Sequence, residues 1–140
     1  LEAKGRILQI QHLQSGDCVG YNETFKAKFP MRIATLACGY ADGIPLPLQN
    51  GGSVLIHGKK APIVGKISMD LITVDVTSIY EAKVGSWGTL FNARHSLDLW
   101  SKICGWTSHA LLTGFLSGKR LKKHYIKDAQ CSQVLQQSVI

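Results

Sequence analysis

Between Gly5 and Phe91 the chain never runs far without a turn signal, and that spacing suits short strands rather than helices. Arg6–Leu13 alternates, with Ile7, Gln9, Gln11 and Leu13 on one side and Leu8, Ile10 and His12 on the other, although neither face is cleanly apolar. Ser15-Gly16-Asp17 is a turn. Val19–Lys28 reads as a strand that passes Tyr21 and ends before Pro30, and Arg32–Cys38 as a strand buried on both faces. The four glycines and two prolines of Gly39–Gly52 mark a loop with room for one helical turn. Ser53–Ile56 and Ala61–Ile67 flank His57-Gly58-Lys59-Lys60, a hairpin signal. Met69–Val76 sets Leu71, Thr73 and Asp75 against Ile72, Val74 and Val76, the pattern of a half-buried strand.

The period then changes. Ser96 is placed to cap a helix through Leu97, Leu99, Trp100 and Ile103, with Gly105 as its stop. Thr107 or Ser108 caps a second, through Leu111, Leu112, Phe115 and Leu116, ending at Gly118. Lys119–Ile126 returns to extended sequence. The Gln- and Ser-rich tail from Asp128 reads as frayed or loosely packed. The fold expected is mainly β, a barrel or strongly curved sheet with two short helices near the C-terminal end.

Composition narrows the function. A chain of 140 residues with 45% hydrophobic residues suits one packed domain. No apolar stretch approaches the roughly 20 residues that cross a bilayer, and no membrane partner is expected. Leu1-Glu2-Ala3-Lys4 leads straight into strand-like sequence without a signal peptide, which suggests a domain boundary rather than a natural start. The net charge of +7 comes from 16 basic and 9 acidic residues, with one cluster at Lys119, Arg120, Lys122, Lys123 and His124. No aromatic–basic word accompanies that cluster, so it reads as a solvated edge strand rather than a nucleic-acid site. Cys18, Cys38, Cys104 and Cys131 form no C-x-x-C pair and match no zinc spacing, as expected of reduced thiols in a cytosol. His12, His57, His95 and His124 are scattered, and no metal site is expected.

Several words remain to be explained: Gly20-Tyr21, Arg32-Ile33-Ala34-Thr35, Gly39-Tyr40-Ala41-Asp42-Gly43, Ala61-Pro62-Ile63-Val64-Gly65-Lys66 and Ser68-Met69-Asp70. In this order they resemble the C-terminal domain of alanine racemase, an enzyme dependent on pyridoxal phosphate (PLP). The resemblance runs from Leu1 to Ile126, which it delimits as the β-domain, and leaves residues 127–140 as a poorly defined tail. It is strongest between Val19 and Val76.

The resemblance implies a division of labour. Tyr21 is one of two catalytic bases. Racemisation removes a proton from one face of the α-carbon and returns one to the other, so two groups on opposite faces are needed. The second base is the PLP lysine, on an N-terminal barrel domain outside this sequence. The Met69 backbone N–H binds the substrate carboxylate. Tyr40 lies at the active-site entrance, and Lys66 stands there where the family commonly has Arg. His109 takes the place of a tyrosine that reaches the PLP phosphate. Asn22 and Glu23 depart from the Gly and small residue that usually follow the catalytic Tyr. The partners implied are the barrel domain of its own chain and that of a second subunit in a homodimer, with a small amino acid as substrate and the bacterial cytoplasm as location. The chain by itself is expected to be inactive.

The residues also have plainer readings. Tyr21 fits an amphipathic tyrosine at a domain edge, Tyr40 and Asp42 fit turn residues, Met69 fits a core methionine and His109 a surface helix position. Two rival functions stand beside the main one. One is a broad-specificity amino-acid racemase of the same fold; the other is a basic β-barrel that binds nucleic acid or another anion and does no chemistry.

Overall fold

The structure is a computed structural model that describes residues 1–20 and 23–117, and the backbone of the strands at 122–124 and 134–136. Tyr21 and Asn22 lie outside the described residues, as do Gly118 and all the side chains of the basic cluster.

Among the described residues six strands close into a barrel. They are β1 (Glu2–Leu13), β4 (Met31–Leu36), β5 (Ser53–Ile56), β6 (Lys59–Val64), β7 (Ile72–Asp75) and β8 (Trp87–Phe91), paired in the circular order β1-β4-β7-β6-β5-β8. Closure depends on the length of β1. Its first half, Ala3–Arg6, pairs antiparallel with β8, and its second half, Ile7–Leu13, pairs antiparallel with β4. One long strand thus belongs to both edges of a sheet that would otherwise be open.

The mixed faces of β1 have a cause. Ile7 sits opposite Leu36 and Gln9 opposite Thr35, so Leu8 is one extra residue and the side-chain alternation changes phase there. Ile7 is buried before the bulge and Leu13 after it, while Leu8 is exposed.

The main core fills the barrel with Ile7, Leu36, Val54, Ile56, Val74 and Leu90. A second cluster, Leu13, Ala27, Met31, Ile33 and Val64, lies against Val19 and Phe25. Adjacent β4 residues divide between the two, Ala34 in the first and Ile33 in the second, so β4 is covered on both faces as its apolar run predicts.

The single strand expected over Val19–Lys28 is a hairpin instead. β2 (Cys18–Val19) pairs antiparallel with β3 (Phe25–Lys26), and the second core cluster holds it through Val19 and Phe25. Gly20 and Glu23 both have positive φ, 86° and 51°, and turn the chain back where an uninterrupted strand would continue.

His57 and Gly58, at φ 50° and 76°, form the two-residue connection between β5 and β6, the arrangement favoured in tight hairpins. Gly39–Gly52 holds two 3-10 turns, Tyr40–Asp42 and Leu46–Asn50. Arg32 ties down the segment after β7, donating from Nη1 to the Ile79 carbonyl at 2.9 Å and from Nη2 to the Ala82 carbonyl.

Two helices close one end, α1 (Leu97–Cys104) and α2 (Ser108–Leu116). Thr107 caps α2 by accepting the Ala110 N–H at 3.2 Å, and Gly105 ends α1. Phe91, Trp100 and Phe115 meet edge to face with centroids 5.2 to 6.4 Å apart and bind both helices to β8. Beyond α2, β9 (Lys122–His124) and β10 (Val134–Gln136) pair antiparallel, and β10 runs parallel to Glu2–Lys4 of β1. β9 occupies the outer position of this extension.

Candidate functional site

Two turns carry the centre of the site. The first is Gly39–Gly43. Its closure needs Asp42, whose Oδ2 accepts the Gly39 N–H at 2.9 Å while the Asp42 N–H donates to the Gly39 carbonyl at 3.0 Å. Asp42 is completely buried, so this carboxylate serves the turn rather than solvent. The second turn is Ser68–Leu71. The Ser68 N–H donates to the Leu71 carbonyl at 3.0 Å, and the Leu71 N–H donates to Ser68 Oγ at 3.0 Å, with Met69 and Asp70 at the tip.

The turns dock backbone to backbone. The Tyr40 N–H donates to the Ser68 carbonyl and the Ala41 N–H to the Met69 carbonyl, each at 3.0 Å. Gly39 is required by this approach, because a β-carbon there would stand 2.4 Å from both the Ser68 and the Met69 carbonyl oxygens. Gly39-Tyr40-Ala41-Asp42-Gly43 and Ser68-Met69-Asp70, separate in sequence, are therefore one structural unit.

This unit presents two groups outward. Tyr40 is 49% exposed and Met69 53% exposed. The Met69 side chain is thus not the core methionine that its residue type allows. Its N–H meets no acceptor among the described residues, while its carbonyl is held by Ala41. An amide held on a pinned turn of an exposed residue, with no acceptor of its own among the described residues, is a donor for an anion.

Tyr40 also borders an apolar cleft of about 420 Å³, lined by Ile44, Pro45, Leu46, Pro47, Trp106 and Gly114 among others. Trp106 is 55% exposed and faces the same cleft. Its only signal in the sequence is a tryptophan between a helix stop and a helix cap, off the apolar face of either helix, and no motif includes it.

Lys66 is exposed and lies four residues before Asp70 on the chain entering the second turn. It lines a cleft of about 310 Å³ with Thr24 and Phe25 of the hairpin and with Gln49 and Asn50. The two ion pairs among the described residues, Lys4–Glu2 and Lys59–Glu81, leave its ammonium uncommitted. Lys66 is thereby brought beside that hairpin. Tyr21 lies outside the described residues.

His109 is exposed in the first turn of α2. Its carbonyl accepts from Thr113 Oγ1 at 2.9 Å, and its imidazole has no partner among the described residues. No hydrogen bond joins it to the Tyr40–Met69 unit. The link between them is indirect, since Gly43 packs on Phe115 of the same helix. His95, by contrast, is buried and structural, its Nε2 donating to the Ser53 carbonyl at 2.8 Å.

The thiols divide by environment. Burial pushes the Cys38 thiol far up from its ordinary value, and the nearby Asp42 carboxylate pushes it the same way. Burial also raises Cys104. Cys18 is exposed. Among the described residues no group of His, Cys, Asp or Glu could hold a metal ion, and no helix is long and apolar enough to cross a membrane.

The donor set is what an anionic cofactor with an amino-acid substrate calls for at its edges: an amide, an imidazole and an ammonium, each on an exposed residue and none committed to a partner among the described residues. PLP and its substrate offer phosphate and carboxylate oxygens to such donors, so the residues present fit contacts to that pair.

The fold that carries these turns is shared with known proteins. The family model for the alanine racemase C-terminal domain matches residues 1–125. The chain is 36% identical over 122 residues to the alanine racemase of Stutzerimonas stutzeri (strain A1501), covering 87% of this chain and 34% of that protein. It is 41% identical over 108 residues to the alanine racemase of Janthinobacterium sp. (strain Marseille), covering 77% of this chain and 30% of that one. Among solved structures, alanine racemase from Bartonella henselae with covalently bound pyridoxal phosphate superposes with a TM-score of 0.76 at 38% identity, over 80% of this chain and 32% of that chain. Alanine racemase from Bacillus anthracis with bound L-Ala-P gives 0.73 at 31% identity, over 80% and 29%. The chain thus spans about a third of the length of the relatives it matches. On the extent of the family match and on the closed barrel with two helices shared with these structures, the chain belongs to the alanine racemase C-terminal domain family.

Proposed function

We propose that the complete protein is a PLP-dependent alanine racemase, interconverting L- and D-alanine to supply D-alanine for peptidoglycan in the bacterial cytoplasm. In this reading residues 1–126 are a domain that completes the active site on the barrel domain of a second subunit in a homodimer. The observation that carries it is the amide of exposed Met69, on a pinned turn beside exposed Tyr40 and without an acceptor among the described residues.

When bound, PLP delocalises the negative charge that develops at the substrate α-carbon. What remains for the protein is to hold the carboxylate, to move one proton on each face and to exclude bulky substrates. The Met69 N–H holds the carboxylate. The Tyr21 phenol takes or returns the proton on one face, and a lysine of the barrel domain serves the other. A free phenol ionises near pH 10, so the docked barrel must lower it with positive charge or hydrogen-bond donors. Tyr40 narrows the entrance. Lys66 draws the substrate carboxylate there as a point charge without the fork of an arginine. His109 donates to the cofactor phosphate.

Purified complete protein should interconvert the alanine enantiomers and turn over larger amino acids far more slowly. The isolated 140 residues should do neither. Equal rates with alanine and with long basic amino acids would replace this reading with that of a broad-specificity racemase. Racemisation by the 140 residues alone would overturn the shared site.

A further inference from the structure

We infer that Asp42 is a positioning residue for the substrate carboxylate, acting through the peptide group that joins Ser68 to Met69. The inference rests on the proposed role of the Met69 amide and names what aims it.

One peptide plane links Tyr40 to the Met69 N–H. The carbonyl of Ser68 and the N–H of Met69 belong to the same peptide group. No peptide bond in the described residues is cis, and in a trans peptide these two groups point to opposite sides. The Ser68 carbonyl accepts the Tyr40 N–H at 3.0 Å. The Met69 N–H is therefore turned directly away from the Gly39–Gly43 turn, toward the exposed side of the tip.

No other bond among the described residues fixes that plane. The Ser68 N–H, which donates to Leu71, belongs to the preceding peptide group, and Ser68 Oγ acts through the side chain. Released from Tyr40, the Ser68–Met69 peptide is free to rotate about its flanking bonds and present its carbonyl where the N–H stood. A carboxylate would then meet a partial negative charge in place of a donor.

Asp42 keeps Tyr40 in place. Its Oδ2 holds the Gly39 N–H at 2.9 Å and closes the turn, so that the next two N–H groups, of Tyr40 and Ala41, reach the Ser68 and Met69 carbonyls together. The carboxylate is completely buried, so water does not compete for that bond. Gly39 is the other half of the device. Any side chain on it would enter the 2.4 Å gap to both carbonyl oxygens and part the turns.

The test uses the complete PLP-loaded dimer and two competitive probes, propionate, which has the carboxylate, and ethylamine, which lacks it. Asp42→Ala should weaken propionate binding and raise KM for alanine about tenfold or more, the scale of losing one charge-assisted hydrogen bond. Ethylamine affinity should stay within about twofold, since a pairing that is not made cannot be lost. Asp42→Asn keeps an oxygen for the Gly39 N–H and should recover most of the propionate affinity. Gly39→Ala should reproduce the selective loss by a different route, and carries the test if Asp42→Ala does not fold. Unchanged propionate affinity, equal losses for both probes, or Asp42→Asn no better than Asp42→Ala would overturn the inference.

A separate variant isolates the reading beneath it. Replacing residue 69 by the α-hydroxy analogue of methionine turns the Ser68–Met69 amide into an ester, which removes the N–H and leaves Tyr40 a trans carbonyl that is a weaker acceptor. If that enzyme binds propionate normally, the carboxylate role of the Met69 amide fails. If it binds propionate weakly while Asp42→Ala binds it normally, the amide role stands and only the positioning role fails.

Discussion

Gly43 packs so closely on Phe115 that a β-carbon at position 43 would stand 2.7 Å from the Phe115 Cα. The loop bearing Tyr40 is thereby fixed to α2, and through α2 to the aromatic cluster of Phe91, Trp100 and Phe115. Gly43 also has φ +95°, which costs an L side chain about 1–2 kcal/mol before any clash. Gly43→Ala should therefore lower stability by more than that backbone term alone, read as a fall in the urea midpoint. A midpoint within experimental error of the wild type would contradict the packing.

Trp100 separates packing from polarity. It is 3% exposed, and its Nε1 has no hydrogen-bond partner among the described residues. Trp100→Phe keeps an aromatic ring against Phe91 and Phe115 and removes a buried donor whose desolvation costs about 1–3 kcal/mol. The lost volume and the relieved donor oppose each other, and the net change should stay below about 1.5 kcal/mol. Trp100→Ala has no such compensation and should lose about 3–5 kcal/mol. Equal losses in thermal or urea unfolding would show that the ring contacts are not what holds α1.

Much of this architecture was legible in the chain. The turn signals between Gly5 and Phe91 gave the β-domain, and Ser96, Gly105 and Thr107 marked the helix limits that the structure has. Local chemistry fixes such features, so a local reading finds them. The bulge at Leu8 was visible only as an unclean alternation, because its cause is a register with β4 more than twenty residues away. The hairpin at Cys18–Lys26 has one legible turn residue, Gly20, but its second positive φ falls on Glu23, a residue type that gives no turn signal, so the apolar run reads as one strand. The docking of Gly39–Asp42 on Ser68–Leu71 is a tertiary contact, and no periodicity encodes it. Motif resemblance brought the two words into one site; their backbone geometry explains why both are needed.

Cys38 predicts a pH dependence. Its folded pKa is raised above the ordinary 9.0, so the unfolded chain releases that proton first as the pH climbs. The stability linked to this thiol is complete below about pH 9 and declines above it, by up to about 1.4 kcal/mol per pH unit until the folded pKa is reached. Urea midpoints measured from pH 7 to 10.5 should therefore fall more steeply for the wild type than for Cys38→Ala. A thiol reagent at pH 8 should label the exposed Cys18 in the folded protein and leave Cys38 untouched until the chain unfolds. Rapid labelling of Cys38, or identical pH profiles, would contradict its burial.

The most direct test of the proposed function is Tyr21→Phe in the complete protein, followed in heavy water for each alanine enantiomer separately. A base that serves one face predicts asymmetry. Interconversion should drop by about 10²–10⁴-fold, while one enantiomer still exchanges its α-hydrogen for deuterium without inverting and the other does not exchange. Interconversion of both enantiomers at the wild-type rate would contradict the account.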